Sequence, residues 1–282
     1  MKRFNHHTHS NFSDGALAPE EYVTEAIRLK YITLGFSSHA PVTFTNKYAL
    51  KEERKYEYQQ TIRNLQKKYA DRIEIYLGLE IDYIPGVTRD FDLVRKDLGL
   101  DFAIGAIHFI KGEDGDQRIW FIDGPNTETY DKGLKELFDN DIHKGVQAYY
   151  HTVSSMITTQ KPDIIAHLDK IKMHNVGRFF REDEPWYIAM VDETLDVIAG
   201  SGCIVEINSR GIYKKRCPDP FPSLAILKKL KQLKVPITLS SDAHTPEELN
   251  PGMDIVIAFA LEAGYKEACC LINGIWQTVE IN

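Results

Sequence analysis

His7-Thr8-His9, at the end of a strand-like run over residues 3–7, and Ser241-Asp242-Ala243-His244, at the end of a second run over 237–241, decide how this chain is read. Each holds two metal-competent side chains spaced i, i+2, which on an extended segment lie on one face. A third stretch, Gly78-Leu79-Glu80, closes another apolar run over 73–80. The first two lie at opposite ends of the sequence, so only a fold that gathers many strand ends unites them. Imidazole with carboxylate suits zinc, manganese or iron, and the chain reads as a metalloenzyme.

Outward from these stretches, β-like and helix-like segments alternate, the pattern of a mostly parallel α/β fold. Strands are predicted over 3–7, 32–37, 73–80, 102–107, 164–167, 203–208 and 237–241, with 268–272 as a further candidate. Helices are predicted over 19–30, 50–70, 185–199, 222–231 and 253–263, with two more within 127–160. Pro19 opens the first, and Glu20 and Glu21 fill its first turn, where the helix dipole favours acids. Residues 111–125, rich in Gly and Asp, read as a long loop of the kind that forms lids or substrate walls. His7, His9, His39, Glu80, His108, His167, Asp242 and His244 all fall at or just past a strand's C-terminal end, where parallel barrels carry their active sites. Six of the ten histidines obey this rule; His6, His143, His151 and His174 read as non-ligands.

The 282 residues, 43% hydrophobic, fill one α/β barrel without needing a second domain, so a single domain over 1–282 is expected. No apolar run approaches the roughly 20 residues that span a bilayer. The charged N-terminus leads straight into His7, leaving no room for a cleavable signal. Cys203, Cys217, Cys269 and Cys270 lack CxxC spacing, which points to reduced thiols and a cytoplasmic protein. A net charge of −7 argues against nucleic acid as a partner.

The blocks His7-Thr8-His9, Ser13-Asp14-Gly15, Ser38-His39-Ala40, Gly78-Leu79-Glu80, Ile107-His108, Ala166-His167-Leu168-Asp169, Glu206-Ile207-Asn208 and Ser241-Asp242-Ala243-His244 together resemble the polymerase-and-histidinol-phosphatase (PHP) family of metal-dependent phosphoesterases. Length and the blocks around 78–83 and 118–121 look most like its histidinol-phosphate phosphatase branch. The resemblance implies a distorted (β/α)7 TIM-like barrel with two to three divalent ions (Zn, Mn or Fe) at the C-terminal mouth. By position, His7, His9, Glu80 and Asp242 would hold one ion; Glu80, His108 and His167 a second; Asp14, His39 and His244 a third. Asp14 is the least typical, since some relatives carry histidine there. Glu80, Asp242 and His244 are the expected catalytic residues.

The implied reaction is hydrolysis of L-histidinol phosphate to L-histidinol and phosphate, a step of histidine biosynthesis, by a hydroxide bridging two ions. Glu206, Asn208 and Arg210 share one face of an extended strand end and are expected to line the substrate pocket. Arg210, Arg178 and Arg118 compete for the role of phosphate clamp, for which a planar guanidinium is suited. Alternatives stay open: another small phosphate monoester such as a nucleotide or sugar phosphate, nucleic-acid ends, or a non-catalytic metal-binding domain. The sequence leaves the oligomeric state undetermined.

Overall fold

The structure, a computed structural model, describes residues 2–112 and 118–281. Its strands are β1 (Arg3–Asn5), β2 (Tyr31–Phe36), β3 (Glu74–Asp82), β4 (Phe102–Ala106), β5 (Phe109–Lys111), β6 (Ile119–Phe121), β7 (Ile164–Ile165), β8 (Ile204–Asn208), β9 (Ile237–Ser240), β10 (Glu267–Ile272) and β11 (Ile275–Glu280). The helices are α1 (Pro19–Arg28), α2 (Lys55–Lys68), α3 (Phe91–Leu98), α4 (Thr127–Phe138), α5 (Ile142–Gln160), α6 (Pro185–Ser201), α7 (Arg210–Tyr213), α8 (Leu224–Gln232) and α9 (Met253–Glu262). Seven strands form one sheet in the order β1-β2-β3-β4-β7-β8-β9, every neighbouring pair parallel.

The two edge strands meet through side chains and through the segments that follow them. Asn5 Oδ1 accepts from Ser241 N at 3.1 Å. His9 N donates to Ala243 O at 2.8 Å, and Ala243 N to His7 O at 3.2 Å. The result is a nearly closed seven-stranded parallel barrel flanked by helices, the distorted (β/α)7 form expected.

Local sequence explains the helices. In α1, Pro19 takes the first position and the buried residues Pro19, Tyr22, Val23 and Ala26 follow the i, i+3, i+4, i+7 spacing of one helical face. Inside the barrel, β3 alternates with period two, so Tyr76, Gly78, Glu80 and Asp82 share a face. Below Glu80 the Phe102 ring crosses the strand at Gly78, where an added Cβ would stand 2.4 Å from the ring. Tyr76, Phe102, Ile104, Ile164 and Ile204 pack there with Cys269 and Leu271 of β10 and with Trp276.

Residues 268–272 form the expected further strand, within β10, which pairs antiparallel with β11 as a hairpin outside the barrel. Two expectations differ from this architecture. The expected 111–125 loop contains β6, antiparallel to β5; its acids at 113–116 lie outside the described residues. Helix α3 went unanticipated, although Asp90 caps it by accepting from Leu93 N and Gly99 ends it at a φ of 56°. Among the described residues no helix is long and apolar enough to cross a membrane.

Because the Phe102 ring leaves no room at Gly78, Gly78→Ala should destabilise the fold by about 1–3 kcal/mol. Phe102→Leu should recover part of that loss. Urea denaturation midpoints of the two single variants and the double variant test the coupling, which strictly additive effects would rule out.

Candidate metal centre

Every barrel strand delivers chemistry to the same end. His7 and His9 follow β1, His39 follows β2, Glu80 and Asp82 end β3, and His108 follows β4. His167 follows β7, Glu206 and Asn208 end β8, and Asp242 and His244 follow β9. Asp14 arrives by a tight turn: Gly15 N donates to Ser10 O at 3.0 Å. A Cβ on residue 15 would lie 2.5 Å from the backbone of His9 and Ser10, so only glycine permits this approach.

Glu80, 1% exposed, sits at the centre. Its Oε2 lies 3.2 Å from His7 Nε2, 3.4 Å from His9 Nε2 and 3.1 Å from His39 Nδ1. Its Oε1 lies 3.1 Å from His167 Nε2 and 3.6 Å from His108 Nε2. Asp242 Oδ1 lies 3.7 Å from His7 Nε2 and 3.4 Å from His9 Nε2. Asp14 meets His9, His39 and His244 at 3.4, 3.8 and 3.1 Å. All nine expected ligand side chains are thus brought together, and three potential ion-binding groups emerge: His9 with Asp14, His39 and His244; His7 with His9 and Asp242; and His39 with Glu80 and His108.

The donor set fits divalent ions. Donors held about 2.1 Å from one tetrahedral ion lie about 3.4 Å apart, the spacing found here. His7 Nε2, His9 Nε2 and His39 Nδ1 are buried without hydrogen-bond partners among the described residues, a costly state unless something else satisfies them. The opposite ring nitrogens are committed: His7 Nδ1 donates to Glu206 Oε2 at 2.6 Å, His108 Nδ1 to Asp82, and His244 Nδ1 to Asp242 O at 3.0 Å. Such outward hydrogen bonds aim the remaining nitrogen inward as a ligand.

Charge is finely divided. Burial opposes protonation of His7, His9 and His108, yet the surrounding carboxylates prevail. Glu206, Asp242 and Glu80 hold His7 well above its usual range; Asp14 and Asp242 bring His9 to about 9; Asp123, Asp82 and Glu80 bring His108 to about 10. Burial lowers His39 and His167, and burial together with His9 lowers His244 to about 4. Burial alone would raise Glu80 and Asp242, but the imidazoles, joined at Asp242 by the Arg210 guanidinium, hold both well below the carboxylate range.

A cavity of about 300 Å³ opens over this cluster, lined among others by Tyr48, Phe109, Phe121, Asp123, Lys170, Arg210 and Arg216. Arg210 is pinned on its inner side, where Nη1 donates to Asp242 O at 2.8 Å. The structure does not bring the other expected substrate residues to the cavity. Glu206 and Asn208 are fully buried behind the imidazoles, because Glu206 is occupied in accepting from His7, His167 N, Asn208 Nδ2 and Ser240 Oγ. Arg178 is paired with Asp131 at 2.7 Å, and exposed Arg118 donates to Glu136 O. Asp82, Tyr48, Asp123 and Lys170 were missed, although Asp123 lies inside the expected 111–125 loop; Arg216 belongs to the chain's densest basic run, Lys214-Lys215-Arg216.

A parallel barrel whose strand ends converge imidazoles and carboxylates is the class that fold and site define. The PHP domain family matches residues 5–210, and the chain belongs to that family. It is 28% identical over 236 residues to a Deinococcus radiodurans protein named "Probable histidinol-phosphatase", covering 82% of each chain. It is 26% identical over 264 residues to the Bacillus subtilis histidinol-phosphatase, covering 86% of this chain and 94% of that one. It also superposes with a TM-score of 0.70 on the Lactococcus lactis histidinol phosphate phosphatase, crystallised with zinc, L-histidinol and phosphate. There the identity is 20%, with 98% of this chain and 99% of that one covered.

A ligating imidazole must be neutral, whereas His7, His9 and His108 are held protonated at neutral pH in the metal-free chain. Zinc uptake at pH 7 should therefore release protons, and affinity should rise as pH climbs toward 9. Calorimetric titration in two buffers of different ionisation enthalpy checks this; identical heats would refute it. Glu206→Gln, which weakens the hold on His7, should cost about 10–100-fold in zinc affinity with the circular-dichroism spectrum unchanged.

Proposed function

We propose that this chain is a metal-dependent phosphatase that hydrolyses L-histidinol phosphate to L-histidinol and phosphate. The observation that carries the proposal is the convergence of nine imidazole and carboxylate side chains beneath a cavity walled by Arg210 and Lys170. The names of the Deinococcus and Bacillus relatives, and the zinc, L-histidinol and phosphate in the Lactococcus structure, support the substrate and the metal.

His7, His9, Glu80 and Asp242 would hold one ion, Glu80, His108 and His167 a second, and Asp14, His39 and His244 a third. Divalent ions in such a site supply Lewis acidity to the phosphoryl oxygens and acidify the attacking water. The chain's own groups do the rest. Arg210 is held by Asp242 O, by Tyr213 Oη at 3.2 Å and by Glu248 Oε2 at 3.2 Å, all through Nη1. Its Nη2 makes no hydrogen bond among the described residues, so a second guanidinium edge is left for a phosphoryl oxygen. Tyr48, Phe109 and Phe121, stacked in series at 6.0 and 4.8 Å, form an aromatic wall of the cavity beside which the imidazole of the alcohol would lie. Four buried free thiols accord with a reducing, cytoplasmic setting.

The test is phosphate release from L-histidinol phosphate by protein reconstituted with zinc, manganese or iron, with AMP and a sugar phosphate as comparators. Strong preference for histidinol phosphate, abolished by a chelator, is expected; faster turnover of AMP or sugar phosphate would refute the substrate. Glu80→Gln should abolish turnover. Arg210→Gln should lower kcat/KM roughly 10–150-fold, the value of a hydrogen bond to a charged group, while leaving the thermal midpoint within a few degrees.

A further inference from the structure

Asp123, two residues beyond β6, stands in the wall of the same cavity. Its side chain is only 12% exposed, and Oδ1 is buried with no hydrogen-bond partner among the described residues. The nearest positive groups reach only Oδ2: Lys170 Nζ at 3.4 Å and His108 Nε2 at 3.8 Å. Both exceed the roughly 2.7–2.9 Å of a charge-assisted hydrogen bond. In the metal-free chain this carboxylate leans on the Lys170 ammonium and the His108 ring from a distance, and its Oδ1 is left without a hydrogen bond.

The position of His108 shows where that cation belongs. With Nδ1 committed to Asp82, His108 Nε2 faces Glu80 Oε1 at 3.6 Å and His167 Nε2 at 3.1 Å, and those two are 3.1 Å apart. This triangle has the size that three donors around one ion require, about 3.4 Å on edge. Asp123 Oδ2 meets the same nitrogen at 3.8 Å, the spacing also found between His39 Nε2 and Asp14 Oδ2. We infer that Asp123 is a fourth protein ligand of the ion held by Glu80, His108 and His167, its carboxylate shared between that ion and the Lys170 ammonium. This assignment, which rests on the proposed role of those three side chains, supplies a further cation to a carboxylate whose Oδ1 is otherwise unsatisfied. It also ties the β5–β6 hairpin to the barrel through the ion.

The experiment uses full-length apo protein titrated with zinc against a chromophoric chelator, for the wild type, Asp123→Asn, Lys170→Gln and His108→Ala. Asp123→Asn, close to isosteric, should bind one zinc per chain at least about tenfold more weakly, while Lys170→Gln keeps its affinity. In the cobalt-substituted proteins, Asp123→Asn should change the intensity of the visible d–d bands. Zinc should slow hydrogen exchange across residues 118–124 in the wild type but not in Asp123→Asn. Wild-type zinc affinity and an unchanged cobalt spectrum in folded Asp123→Asn would overturn the inference. Equal losses in Asp123→Asn and Lys170→Gln would overturn it too, since Asp123 would then merely partner Lys170. If His108→Ala alone keeps its full zinc complement, the reading of the centre itself falls, an outcome separate from failure at Asp123.

Discussion

A carboxylate removed from water has to be answered by charge or by hydrogen bonds, and Glu80 is answered by five imidazoles. Its two oxygens face His7, His9 and His39 on one side and His108 and His167 on the other. The five imidazoles come from four strand ends: His7 and His9 from β1, His39 from β2, His108 from β4 and His167 from β7. The barrel can be regarded as the device that carries these rings to one carboxylate.

Behind the rings lies a support that is itself fully buried. Glu206 receives His7, the backbone N–H of His167, Asn208 and Ser240, and Asn208 reaches on to Asp242 Oδ2 at 3.3 Å. One carboxylate thereby fixes side chains proposed for two different ions. The backbone contributes too: His167 and Asp242 adopt positive φ values of 25° and 51°, a conformation that side-chain-bearing residues hold only where surrounding contacts enforce it. The strain falls on the segments that turn donors inward.

Much of this was legible before any coordinates. The alternation of runs, and the habit of histidines to sit at their C-terminal ends, led to a parallel barrel. That eight of the nine side chains meet follows from their placement, since strand ends in a barrel share one mouth; Asp14 was legible only through the resemblance to the PHP family. What escaped reading did so for physical reasons. Helix α3 is short and depends on Asp90 and Gly99 as caps rather than on a long apolar stripe. Glu206 and Asn208 have the period-two spacing of pocket residues, but spacing cannot distinguish a side chain facing a cavity from one walled in behind the ligands. Asp82, Tyr48 and Lys170 act through contacts 26 or more residues away along the chain, or through a single ring, and no local pattern marks them. Among the arginines, sequence could not separate Arg210, held by Asp242 and Tyr213, from Arg178, already engaged by Asp131.

The seam between β1 and β9 has a consequence for how the molecule is made. His7 and His9 leave the ribosome long before Asp242, Ala243 and His244, which follow all the other barrel strands. Until then the barrel is an open sheet whose first strand lacks its neighbour, and the earliest-made imidazoles have no carboxylate from β9 to face. Contacts of such long sequence separation close slowly, and an unpaired strand edge is exposed to other chains meanwhile. Closing the sheet and completing the donor set are one event, so a nascent chain cannot assemble the full centre early, and the last strand of the barrel completes both.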